Sequence, residues 1–291
     1  MAYRSIFRPD LFEGQVILVT GGGSGIGRCV AHELAALGAR LVIAGRDPEK
    51  LARVADEIES EGYSVDTLCC NIRSEVEVAA MIEGVLALHG RLDGLVNNAG
   101  GQFHAPLADI SAKGFEAVVS TNLTGGFIVM REAYRQWMQG HGGAIVNMSA
   151  DIWMGLPGFA HSAASRAGME SLTQSAAAEW AGSGVRVNTV APGMITSSGF
   201  DNYEGAGVDQ IRAYPERVPA KRYGTVAEVS AAIVFLLSPA AAYITGSCLR
   251  VDGGSPNGRH GQALKQVKGL PAFDGFHLSS TPVLFEESNR T

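Results

Sequence analysis

Apolar and polar positions along the chain change period repeatedly. Short apolar runs at Val16–Thr20, Arg40–Ala44, Ser64–Cys69, Gly94–Asn97, Ala144–Ser149, Val185–Val190 and Ser247–Val251 predict strands. Between them lie stretches with apolar residues at helical spacing, at about Gly25–Leu37, Pro48–Glu61, Ser74–His89, Ser111–Gln139, His161–Gly182 and Thr225–Leu237. Strands alternating with amphipathic helices predict an α/β fold: one doubly wound, mainly parallel sheet of about seven strands with helices on both faces. No internal repeat or long linker interrupts this order, so residues 1–254 read as one domain. The stretch 255–291 loses the period. Its Phe273, Phe276, Leu278, Val283, Leu284 and Phe285 predict an extension that packs on its own subunit or on a neighbour.

Between the first strand and the first helix stands Thr20-Gly21-Gly22-Gly23-Ser24-Gly25-Ile26-Gly27. A strand, a glycine turn and a helix in direct succession suit a dinucleotide. The turn is tight, the backbone approaches a pyrophosphate, and the helix N-terminus offers free N–H groups and the positive end of its dipole. A Cβ at Gly21, Gly25 or Gly27 would obstruct one of these. Other strand ends place Asn71-Ile72, Asn97-Asn98-Ala99-Gly100 and Pro192-Gly193-Met194-Ile195-Thr196 at the same edge of the sheet. Doubly wound sheets take their ligands there.

The second strand ends Ala44-Gly45-Arg46. An NAD site usually carries Asp or Glu at this point, for the ribose 2′-hydroxyl. Gly45 stands in that place, and the guanidinium of Arg46 suits a 2′-phosphate, which predicts NADP(H). Asp47 reads instead as the cap of the next helix, with Pro48 at its first position.

Composition narrows the partners to small molecules. The formal net charge of -6 argues against nucleic acid and anionic membranes. No uncharged run approaches the roughly 18 apolar residues of a membrane span. The N-terminus shows no apolar signal core, and the terminal Ser-Asn-Arg-Thr is not a peroxisomal address. Cys29, Cys69, Cys70 and Cys248 form no Cys-x-x-Cys pair. Together these predict a cytoplasmic protein. No two of the seven histidines are spaced His-x-x-x-His, and no metal site is expected.

Thr20-Gly21-x-x-x-Gly25-x-Gly27, Asn97-Asn98-Ala99-Gly100, Asn122, Ser149 and Pro192-Gly193 resemble, in order, the motifs of the short-chain dehydrogenase/reductase family over about Gln15–Gly254. The resemblance implies a single Rossmann-type domain, a nicotinamide cofactor and a homodimer or homotetramer. It places Gly21, Ser24, Gly25, Ile26 and Gly27 at the cofactor, with Asn71 and Ile72 at the adenine. Asn98, Ala99 and Gly100 fall at the ribose and the central sheet, and Pro192, Gly193, Ile195 and Thr196 at the carboxamide and diphosphate. The stretch 197–214 resembles the family's substrate loop. Its Tyr203 reads either as a proton donor that swings in or as a lid aromatic.

The family's Tyr-x-x-x-Lys pair is where this chain departs. His161-Ser162-Ala163-Ala164-Ser165-Arg166-Ala167-Gly168 puts Ser162 in the Tyr position and Arg166 in the Lys position. A serine hydroxyl is a far weaker acid than a phenol, and Arg166 holds ribose hydroxyls but keeps its proton. Alcohol–ketone interconversion should be poor. Reduction of an activated C=C bond asks less: hydride goes to the β-carbon, and the thioester oxygen needs donors, for which Asn122, Ser149 and Ser162 are candidates.

This segment and Asn97–Phe103 resemble the peroxisomal trans-2-enoyl-CoA reductases, with the 2,4-dienoyl-CoA reductases next. The latter keep the Lys and carry a separate Tyr that falls here on Asp151. Asp151 reads either as orienting a donor or as ending its strand, and His161 either as a proton source or as structural. The resemblance implies an NADP(H)-dependent reductase of an acyl-CoA thioester in fatty acid metabolism. A dehydrogenase of hydroxyacyl, terpenoid or other alcohols, and a non-catalytic NADP-binding oligomer partner, remain open beside it.

Overall fold

The computed structural model describes residues 2–197, 199–200, 208, 211–258 and 269–286. Seven strands form one parallel sheet in the order β3-β2-β1-β4-β5-β6-β9. They are β1 (Val16–Thr20), β2 (Arg40–Gly45), β3 (Val65–Cys69), β4 (Gly94–Asn97), β5 (Gly143–Met148), β6 (Val185–Pro192) and β9 (Cys248–Val251). Two short strands, β7 (Ile195–Thr196) and β8 (Gly224–Thr225), pair beside it. The order reverses next to β1, so β1 and β4 flank the crevice at their carboxyl ends. The central strands β1 and β4 are buried along their whole length, as a sheet covered on both faces requires.

One face carries α1 (Gly25–Ala36), α2 (Pro48–Ser60) and the helix Val226–Leu237, around a core that includes Ile17, Leu34, Ile43 and Ile233. The other carries α3 (Glu75–His89), α4 (Ala112–Val119), α5 (Gly126–Ala133) and the long helix Ala160–Trp180, around Leu18, Val42, Leu95 and Ile145. The expected Ser111–Gln139 helix is interrupted by π turns at Ser120–Gly125 and Tyr134–Met138. The first of these widens the helix where Asn122 turns inward. Gly126 leaves room there for Met169 and Asn97, which a Cβ would strike.

Asp47 caps α2, accepting from the Glu49 and Lys50 backbone N–H groups at 3.1 Å, and Pro48 occupies the first helical position. Among the described residues no helix is long and apolar enough to cross a membrane. Asp47→Ala should lower the unfolding free energy in urea denaturation, as loss of a cap does. It should leave the ratio of NADPH to NADH affinity unchanged, which a cofactor-binding carboxylate would not.

Candidate active site

The turn after β1 is locked to the end of β4. Thr20 Oγ1 accepts from the backbone N–H groups of Asn98 (3.0 Å) and Ala99 (3.1 Å), and Asn98 Nδ2 donates to the Thr20 and Gly21 carbonyls. A Cβ on Gly21 would lie 2.9 Å from Ala99 Cα, and one on Gly27 would overlap the Gly21 carbonyl. Both positions need glycine because backbone meets backbone there. Gly25 differs: its φ is +54°, and nothing lies within 4 Å of where a Cβ would sit. The turn is thus packed tightly from below and open above. Ser24 precedes α1 with an extended backbone and an exposed side chain, and Ile26 is half-buried.

The other expected cofactor residues lie along this edge. Arg46 is exposed just past β2, and a Cβ on Gly45 would make only ordinary contact with Leu51, at 3.5 Å. Asn71 and Ile72 follow β3; Ile72 is buried under Gly125, and Asn71 Oδ1 accepts from the Arg73 backbone. Pro192 ends β6 and accepts from the Asp151 N–H at 2.9 Å. Gly193 fits against Tyr214 and Asp252, Ile195 is buried, and Thr196 Oγ1 donates to the Gly224 carbonyl at 3.2 Å.

The long helix Ala160–Trp180 brings Ser162, Arg166 and Glu170 onto one face, four residues apart. Arg166 Nη1 donates to the Met148 carbonyl at 2.8 Å. Its guanidinium lies beneath Gly100, where a Cβ would stand 2.6 Å from Nη2 and 2.9 Å from Asn122 Oδ1. Burial pushes the Arg166 pKa down to about 10, which leaves it a cation at neutral pH. Asn122 exchanges two hydrogen bonds with the Gly101 backbone, at 2.8 and 3.0 Å. Gly100, Asn122 and Arg166 therefore form one contact unit.

Both candidate serines give their single proton to a neighbour. Ser162 Oγ donates to Gln102 Oε1 at 2.6 Å, and Ser149 Oγ donates to Glu170 Oε1 in a short bond. Neither Gln102 nor Glu170 was among the expected site residues. Glu170 had a signal, its eight-residue spacing from Ser162 on one helix face; Gln102 had none beyond following the Asn-Asn-Ala-Gly turn. His161 is fully buried, and its ring meets Phe103 edge-on at 4.3 Å. Its Nδ1 accepts the Ser162 backbone N–H, and its Nε2 has no partner among the described residues. Tyr203 and the middle of the 197–214 loop lie outside the described residues.

Asp151 follows β5 in a half-buried position beside Ser255, Asp252 and Arg250. Desolvation raises its pKa, the Asp252 charge adds to this, and a hydrogen bond with Ser255 opposes it.

Comparison with known proteins gives the family. Residues 21–255 match the family model described as enoyl-(acyl carrier protein) reductase. The peroxisomal 2,4-dienoyl-CoA reductase of Danio rerio is 37% identical over 256 residues, 87% of this chain and 85% of that protein. The probable 2,4-dienoyl-CoA reductase of Bacillus subtilis is 36% identical over 83% of this chain and 96% of its own length. The chain belongs to the short-chain dehydrogenase/reductase family. Among solved structures it is similar to the citronellol catabolism dehydrogenase AtuB of Pseudomonas aeruginosa, at 55% identity and a TM-score of 0.79, covering 87% of this chain and 99% of that one.

The family implies a nicotinamide cofactor, and the residues fit one. The open space above Gly25 is the cradle that a side chain would fill, and it lies at the carboxyl ends of the strands.

Asp151→Asn should stabilise the protein at neutral pH, and the gain should shrink as pH falls through the raised pKa. Between the ordinary carboxyl value and that raised value the folded chain binds more protons than the unfolded one. The native chain therefore loses stability as pH rises through this window, and the Asn variant does not. Urea denaturation across the acidic to neutral range checks this; a pH-independent difference would contradict it.

Proposed function

We propose that this enzyme uses NADP(H) to reduce the C=C bond of a trans-2-enoyl-CoA or a similarly activated enone. The observation that carries the reading is the pair Ser162 and Arg166, a weak acid and a buried cation where a phenol and an amine would serve carbonyl chemistry. The similarity to enzymes named as dienoyl-CoA reductases, from two distant organisms, supports the same reaction class.

When bound, the reduced nicotinamide would supply a hydride to the β-carbon, and the resulting enolate would take its α-carbon proton from water or another weak acid. The protein's part is to hold charge at the thioester oxygen and to orient the acyl chain. Ser162 and Ser149 do this by rotating their hydroxyls away from Gln102 and Glu170 toward the substrate, since each has one proton to give. Arg166 binds the nicotinamide ribose and keeps its proton, while Asn122 holds the Gly101 backbone against it. The glycine turn, Asn98–Gly100 and Pro192–Thr196 hold the rest of the cofactor. Gly45 has no packing reason to be glycine, which supports a site shaped for the 2′-phosphate with Arg46 as its partner. As the family resemblance implies, we read the chain as working in a homodimer or homotetramer.

A second reading, a dehydrogenase of a terpenoid alcohol, draws on the 55% identity to a protein named for citronellol catabolism. Cofactor-linked absorbance over panels of enoyl-CoA, dienoyl-CoA, ketone and alcohol substrates separates the two. Turnover of enoyl thioesters with little alcohol oxidation is expected; the reverse pattern would install the second reading. Ser162→Ala should lower kcat with enoyl-CoA by roughly 100-fold, the worth of one oxyanion donor, with NADPH affinity unchanged. Arg46→Ala should raise the KM for NADPH by about tenfold and leave that for NADH nearly constant, as loss of a charge-assisted phosphate contact requires.

A further inference from the structure

The described part of the C-terminal extension, 269–286, runs back across the glycine turn. It is pinned along its length. Arg222 donates to the carbonyls of Leu270 (2.9 Å) and Pro271 (3.2 Å), and Thr225 Oγ1 donates to that of Phe273 (2.6 Å). The Arg4 backbone N–H donates to the Gly275 carbonyl at 3.0 Å. Phe276 is buried, and His277 Nε2 lies 3.0 Å from Glu61 Oε1.

Held this way, the segment forms one wall of a cavity of about 230 Å³ over the turn. Gly25, Arg28, Thr196 and Ser197 line one side, and Ser280 and Thr281 line the other. This is the open space found above Gly25. Asp274 also borders it, but its carboxylate accepts the Ser279 hydroxyl at 2.8 Å. The Ser280 and Thr281 side chains are exposed and make no hydrogen bond among the described residues. Arg28 sits with its guanidinium 5.2 Å from the centre of the Phe276 ring, and Glu57 engages its Nε at 2.7 Å. The extension therefore fixes a cation on the turn's side of the cavity and presents two hydroxyl donors on the wall facing it. Such a donor set suits a phosphate-bearing anion.

We propose that Ser280 and Thr281, from the side opposite the glycine turn, and Arg28, from the turn's own side, bind the diphosphate of the nicotinamide dinucleotide. The extension is then part of the cofactor site and not only a packing strap. This rests on the cofactor reading of the turn.

Calorimetric titration of the full chain with NADPH and with NADH tests it, because both carry the diphosphate and only one carries the 2′-phosphate. Ser280→Ala/Thr281→Ala and, separately, Arg28→Gln should each raise both dissociation constants by about tenfold and by the same factor. The double alanine variant changes only exposed side chains, so its result does not hinge on folding. Unchanged constants in both variants would overturn the proposal, and weakening confined to NADPH would move the contact to the 2′-phosphate and overturn the diphosphate assignment. Failure of the unaltered chain to bind either dinucleotide would instead remove the cofactor reading itself, and the proposal with it.

Discussion

The carboxyl edge of the sheet is organised by the contact between the Thr20–Gly27 turn and the Asn98–Ala99 segment. Backbone meets backbone there, and four hydrogen bonds made by the Thr20 and Asn98 side chains set the distance. The Gly27 position removes the last obstacle by letting α1 start directly under the Gly21 carbonyl. Everything that reaches the crevice is placed relative to this contact. Gly100 follows Asn98 by two residues and lies over Arg166. Asn122 holds Gly101, and Gln102 comes next to receive the Ser162 proton. A shift of the β4 loop would move the turn, the guanidinium and the serine together.

The same economy governs the chemistry. Arg166 is buried far enough to lose much of its hydration, yet it remains a cation, so it anchors charge without relaying protons. The two serines each hold one proton and spend it within the protein, one on an amide oxygen and one on a carboxylate. Under the proposed reading, such a site stabilises a developing enolate and does not move a proton to an alkoxide. That distinction comes from acidity and proton count, not from the fold, which many oxidoreductases with other substrates share.

The C-terminal extension adds a constraint that the parallel sheet does not supply. Its hydrogen bonds reach the loop before β8, the cap of the following helix and the N-terminal arm. Phe276 packs against Arg28 and His32, both on α1. The helix that begins at the glycine turn is thus gripped from its amino-terminal side by the sheet and from outside by the extension.

The sheet and its helices were legible because period is a local property. Val16–Thr20 and Gly94–Asn97 had to be strands, and Asp47-Pro48 a helix start, whatever lay elsewhere. The glycine turn and the face shared by Ser162 and Arg166 are equally local, set by turn sterics and by helical pitch. The π turn at Ser120–Gly125 was not legible, since it arises where Asn122 and Gly126 meet β4 and the long helix. The partners of Gln102 and Glu170 lie 60 and 21 residues away, so neither bond was legible; helical pitch places Glu170 on the face of Ser162 and Arg166, and nothing local marks Gln102. The position of the extension also needed the folded chain, because an aperiodic apolar segment shows that it must be buried but not against what. By itself, the sequence determined which elements form and which chemical groups are present. The tertiary structure decided which of those groups touch, because contacts between distant residues depend on how the layers close and not on any local pattern.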